Sequence, residues 1–203
     1  MVGVPRRRPP GPPWGWLAPV YPWAVGLVGW QRHQRMLVAD VTEGTVLDVG
    51  CGPAPPVRDL LARGVGYVGV DLSATVVHLA ARRLDGAGPG RCHLLVADAR
   101  ALPFADRSFD LVVCTAVLGL LTARARRAAL FEMARVCRGE VRLLEPVARH
   151  DRRTPRVRNR LVGLAVDGPL IRADFESAGL VAGVTGPPCV VGVYSPVRAA
   201  PPA

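Results

Sequence analysis

Two rhythms alternate along the chain. Short apolar or β-branched runs at Thr45–Cys51, Tyr67–Leu72, Cys92–Ala97, Phe109–Ala116 and Glu140–Glu145 read as strands. Between them lie stretches with helical spacing. Val57–Arg63 is one, and a second runs from the N-cap Ser73 to Leu84. A third starts at the capping Thr122 and places Leu130, Met133, Ala134 and Cys137 on its buried side. Upstream, Pro22 suits the first position of a helix that reaches about Asp40, with Trp23, Leu27, Trp30, Gln34 and Leu37 on one face. Asp85–Gly90 is a loop by composition. Residues 147–168 are Arg-rich and irregular, Leu170–Ala178 reads as a short helix ended by Gly179, and Val181–Thr185 with Val190–Tyr194 reads as a hairpin around Gly186-Pro187-Pro188. Strand-helix alternation that closes on a hairpin predicts an α/β, doubly wound, Rossmann-like fold. Its sheet is expected to be mostly parallel and seven-stranded, with one antiparallel strand near the C-terminal end.

The same pattern divides the chain. Residues 1–13 are expected to be a disordered Pro/Arg tail, 14–44 an N-terminal helical lid segment, 45–198 the main domain and 199–203 a tail. Arg6-Arg7-Arg8 ahead of the apolar stretch Trp14–Trp30 mimics a signal peptide, but Pro19 and Pro22 interrupt the stretch and no small-residue cleavage site follows. It is also too short and broken for a membrane span.

Composition changes the picture in one respect. A net charge of +10 on 203 residues would ordinarily suggest a polyanionic partner. Here every basic residue is Arg, and Ile171 and Asn159 are the sole representatives of their types. That bias fits a GC-rich genome, so nucleic acid is an unfavoured partner. Cys51, Cys92, Cys114, Cys137 and Cys189 are scattered without a Cys-x-x-Cys pair, which points to reduced thiols in a cytoplasmic protein. His33, His78, His93 and His150 show no ligand spacing, so no metal site is expected.

The chemistry sits at the strand ends. Val46-Leu47-Asp48-Val49-Gly50-Cys51-Gly52 ends a strand in two close glycines, and Gly69-Val70-Asp71-Leu72 ends the next in a carboxylate. Glycines there let the backbone bend and approach a ligand, and an acid at the second strand can accept from both hydroxyls of a ribose. The third glycine of a dinucleotide fingerprint is Pro55 here, and no phosphate-loop Lys is present, so the nucleoside lacks pyrophosphate. Asp98, in Leu95-Val96-Ala97-Asp98-Ala99, lies on the same edge; its carboxylate can accept from an adenine amine, while the Ala99 amide can donate to a ring nitrogen.

Together with Leu102-Pro103-Phe104 and Ser108-Phe109-Asp110, these segments resemble class I S-adenosylmethionine-dependent methyltransferases. The particular resemblance is to the ubiquinone/menaquinone biosynthesis C-methyltransferase family, over roughly residues 14–197. Ala54 replaces that family's third glycine. The resemblance implies S-adenosyl-L-methionine as cofactor and S-adenosyl-L-homocysteine as product. It implies a cofactor-binding set of Asp48, Gly50, Cys51, Gly52, Asp71, Leu72, Asp98 and Ala99. The two glycines would pass under the methionine part and Asp48 would orient its ammonium; Asp71 would hold the ribose and Asp98 the adenine. For catalysis the candidates are Tyr21, in an Ala-Pro-x-Tyr element similar to the family's N-terminal one, Glu145 at a strand end, and His150 in the following loop. A sulfonium is already a potent methyl donor, so a site with no catalytic side chain stays an alternative.

The acceptor is expected to be small and apolar or lipid-like: a quinone, lipid or secondary metabolite. Val117-Leu118-Gly119-Leu120-Leu121 after the fourth strand offers a greasy wall where nucleobase-methylating enzymes carry Asn-Pro-Pro-Tyr. Trp14, Trp16, Trp23 and Trp30 form either a peripheral membrane contact, an acceptor lid or a packed helix. Arg149–Arg160 form either an anion site or a solvated loop. A homodimer is compatible with this picture. The alternatives are an RNA-directed methyltransferase and a non-catalytic partner that keeps the fold.

Overall fold

A computed structural model describes residues 34–53, 57–84, 91–146, 174–178, 180–182 and 189–196. Tyr21, His150, the four tryptophans and the Arg149–Arg160 loop lie outside them. The element order is β1 (Thr45–Val49), α1 (Arg58–Ala62), β2 (Gly66–Asp71), α2 (Ala74–Leu84), β3 (Cys92–Val96), β4 (Phe109–Thr115), a 3-10 turn (Leu118–Leu120), α3 (Ala123–Val136) and β5 (Cys137–Pro146). The five strands form a parallel sheet in the order β3-β2-β1-β4-β5. Two further strands follow, β6 (Leu180–Ala182) and β7 (Cys189–Pro196).

Both faces of the sheet are covered, which is why its strands are almost continuously apolar. Residues Leu47, Val49, Val70, Val112 and Cys114 pack on one face with Leu130 and Met133 of α3. Their neighbours Val46, Tyr67, Leu111 and Val113 pack on the other with Val57 and Leu60. The helix starts follow the sequence chemistry. Ser73 Oγ accepts from the Val76 amide, and Thr122 Oγ1 accepts from Ala125. Leu37 and Val38, at the end of the upstream helical segment, are buried in the second cluster. Arg142 of β5 ties that segment down, donating to the Leu37 carbonyl at 2.7 Å and to Asp40.

β5 starts three residues earlier than the expected Glu140, directly after α3. Phe109 pairs with Cys137, and a register shift before Leu111 absorbs the extra chain. At this lower edge Asp110 receives the Thr45 amide and hydroxyl and is clamped by Arg138, which holds its carboxyl down at about 2. Its work is to join β1, β4 and β5. No described helix is long and apolar enough to cross a membrane.

Candidate functional site

The order β3-β2-β1-β4-β5 reverses direction between β1 and β4. A crevice outside the carboxyl ends of the strands at such a point is where open α/β sheets bind ligands. The glycine turn after β1 lies there. Gly50 and Gly52 both adopt positive φ, +74° and +64°, a region that carries little penalty only for glycine. The turn is fastened to β2, because the Gly50 and Cys51 amides donate to the Val70 carbonyl at 2.8 and 3.0 Å. A Cβ on Gly50 would stand 2.1 Å from Val117 Cγ2. Gly50→Ala is therefore expected to combine backbone strain with a clash and to destabilise the domain by roughly 2 kcal/mol or more; urea unfolding of the variant checks this.

Asp71 ends β2 beside that turn. One carboxylate oxygen accepts from the Gly52 amide at 3.3 Å and the other from Ser73 at 2.9 Å. Burial raises its pKa, against those amide bonds. Leu72 next to it is 70% exposed, and Val96, its register partner on β3, is 56% exposed. An acceptor for a diol thus stands beside two uncovered apolar side chains, a setting that suits a purine nucleoside. Gly50, Gly52, Asp71 and Leu72 fit S-adenosylmethionine on those grounds.

Asp98, expected to accept from an adenine amine, already has a partner within the chain. Arg100 Nε donates to both its oxygens, at 2.9 and 3.0 Å, and holds its pKa below the usual range. An adenine amine would share the carboxylate with that guanidinium. Ala99 is partly buried against the first core cluster.

Asp48 lies under the turn, only 5% exposed. Its oxygen accepts from the Tyr67 hydroxyl at 2.8 Å. Burial pushes its pKa up to about 7, opposed by that hydrogen bond and reinforced by Asp71. Burial also raises the Cys51 thiol, so Cys51 is no thiolate at neutral pH. Tyr67 was missed in the sequence. The available signal was parity: Tyr67 and Asp71 share one face of β2, and a strand acid on the facing β1 needs a partner.

Glu145, named as a proton-transfer candidate, is 1% exposed. Its carboxylate accepts from the amides of Val117 and Leu118, both at 2.8 Å, and of Gly119 at 3.2 Å. It anchors the turn that presses Val117 onto Gly50. Burial raises its pKa to about 7 as well.

These two raised acids set a pH dependence. The folded chain holds protons on Asp48 and Glu145 that the unfolded chain, with ordinary carboxylates, has released. Their contribution to stability is therefore full below about pH 4 and is lost as pH rises toward about 7. Asp48→Asn should flatten that slope in thermal melts taken between about pH 5 and 8. Among the described residues no group of His, Cys, Asp and Glu could hold a metal.

At this switch point a glycine turn is tied to a strand-end acid. Residues 46–140 match the family model described as methyltransferase domain. The chain is 31% identical over 122 residues to the ubiquinone/menaquinone biosynthesis C-methyltransferase UbiE of Geotalea daltonii, a match covering 57% of this chain and 51% of the relative. It is 34% identical over 119 residues to the demethylmenaquinone methyltransferase of Thermotoga maritima, covering 57% and 48%. The chain thus spans about half the length of the curated relatives it matches. Among solved structures it is similar to magnesium protoporphyrin IX methyltransferase from Synechocystis with bound S-adenosylmethionine, with a TM-score of 0.65, 19% identity, and 83% and 80% of the two chains covered.

Proposed function

We propose that the chain transfers a methyl group from S-adenosylmethionine to a small apolar acceptor of the quinone type. The observation that carries this is the joint fastening of the Gly50–Gly52 turn and the Ser73 turn to the Asp71 carboxylate. When bound, the cofactor supplies an activated methyl on a sulfonium. Asp71 accepts from the ribose hydroxyls, Leu72 and Val96 cover the adenine, and Asp98 with Ala99 borders its edge. Gly50 and Gly52 admit the methionine part, with Asp48 below them. Val117, held on Gly50 by Glu145, forms one wall of the methyl-transfer crevice, and Leu120, 39% exposed, extends that apolar wall outward. Exclusion of water and orientation supply the acceleration, on the order of 7–11 kcal/mol.

The named relatives support the acceptor class, since both are described as quinone-pathway methyltransferases. In the same proposal Tyr21 and His150 are the candidates for contact with the reacting groups, and the tryptophans for contact with a membrane interface. The sheet of the whole domain is seven-stranded, with Cys189–Pro196 as its antiparallel member; the pairing of Val190 with Glu145 supports this. Incubating the chain with S-adenosylmethionine and demethylated quinones, phenolic lipids and an RNA pool tests it. Release of S-adenosylhomocysteine that depends on a quinone is expected. Release that depends on RNA alone would overturn the acceptor assignment.

A further inference from the structure

The pair beneath the glycine turn has no role in the fastening of Asp71, yet its construction is specific. Tyr67 is 2% exposed and Asp48 is 5% exposed. Gly69 lies two residues beyond Tyr67 on the same face of β2 and directly opposite Asp48. A Cβ on Gly69 would come within 3.0 Å of the Tyr67 ring and 3.1 Å of Cys51 Cβ. The missing side chain therefore lets the ring lie along β2 and carry its hydroxyl across to Asp48, with Cys51 of the turn packed above. Among the described residues, the titratable groups around Asp48 are Tyr67 and Asp71 from β2, Cys51 from the turn, Cys114 from β4 and, beyond Tyr67, Cys92 from β3. None of them can carry positive charge. A carboxylate enclosed in this way, with one hydroxyl donor and no cation, is pushed toward its neutral acid.

We propose that Tyr67 and Asp48 form a buried proton-holding pair that gives up its proton to solvent when the sulfonium- and ammonium-bearing cofactor settles on the turn above. This rests on the methyltransferase assignment of the site. The ligand's cationic centres supply the positive charge the enclosure lacks, so the acid ionises as the site fills. By linkage, the ligand must then bind more tightly as pH rises, until Asp48 is ionised beforehand. Tyr67 acts as a positioning residue: its hydroxyl holds Asp48 in place and, by donating to the charged form, keeps the proton removable.

Calorimetric titration of the full chain with S-adenosylmethionine at about pH 6.5, in phosphate and in Bis-Tris, counts the protons released. Roughly three-quarters of a proton per ligand is expected from the wild type at that pH, and close to none from Asp48→Asn. Affinity of the wild type should rise up to about tenfold per pH unit below a bend near neutrality, and Tyr67→Phe should move that bend to higher pH. Binding with no proton release by the wild type, an unmoved bend in Tyr67→Phe, or equal release by a folded Asp48→Asn would overturn the proposal. Absence of binding at every pH would instead sink the methyltransferase assignment on which it rests. Should Asp48→Asn not fold, the wild-type proton count and the Tyr67→Phe bend decide alone.

Discussion

Asp71→Ala is expected to weaken S-adenosylmethionine binding by about a hundredfold or more. Two losses combine. The carboxylate is the proposed acceptor for both ribose hydroxyls, and hydrogen bonds to a charged group contribute about 1.5–3 kcal/mol each. It also holds the Gly52 and Ser73 amides, at 3.3 and 2.9 Å, and so joins the two turns that border the nucleoside. Asp71→Asn keeps one acceptor oxygen and should fall between the wild type and Ala. Because Asp71 is partly buried and its pKa is raised, removing the charge relieves some desolvation. The apo protein should therefore keep most of its stability, and the thermal midpoints of the apo variants check that. Loss of affinity with an unchanged apo melt would locate the effect in the site. Unchanged affinity in Asp71→Ala would refute the assigned pocket.

Glu145→Ala should produce the largest loss of stability. Three amides of consecutive residues, Val117, Leu118 and Gly119, converge on that one side chain, and Leu118 is fully buried. An amide left unpaired in such a place costs about 1–3 kcal/mol. With partial entry of water, a net loss of roughly 3–5 kcal/mol follows, or a fall of about 10 °C in the melting midpoint of a domain this size. Glu145→Gln retains a carbonyl oxygen but turns an amide group toward the remaining donor, so about half the loss is expected. The functional consequence is distinct from that of a general base. Releasing the Val117 turn from Gly50 should impair binding of the methionine part of the cofactor even where the variant is folded. A proton-transfer residue would leave that affinity intact.

Much of the site could be read from strand periodicity and residue chemistry. The apolar runs located the five parallel strands, and the acids and glycines at their ends located the crevice. Turn residues Ser73 and Thr122 announced two helix starts because their hydroxyls can replace a missing backbone partner. What escaped was set by contacts distant in sequence. Glu145 reaches amides 26 to 28 residues away, so a strand-end acid that looked available for chemistry is fully engaged with the backbone. The Arg100 contact with Asp98 was also not read: Arg100, two residues on, folds back over its carboxylate. No helical or strand periodicity registers such a clamp. Tyr67 escaped because an aromatic in a strand reads as core, and only the absent side chain of Gly69 shows that its hydroxyl reaches Asp48.

The proposed binding roles of Asp48, Asp71 and the glycine turn depend on one ligand. Titration calorimetry of the folded chain with S-adenosylhomocysteine measures that dependence without needing an acceptor. Saturable binding at one site per chain, strongly weakened in Asp71→Ala, is the predicted result. No binding to wild-type chain that melts cooperatively would contradict it.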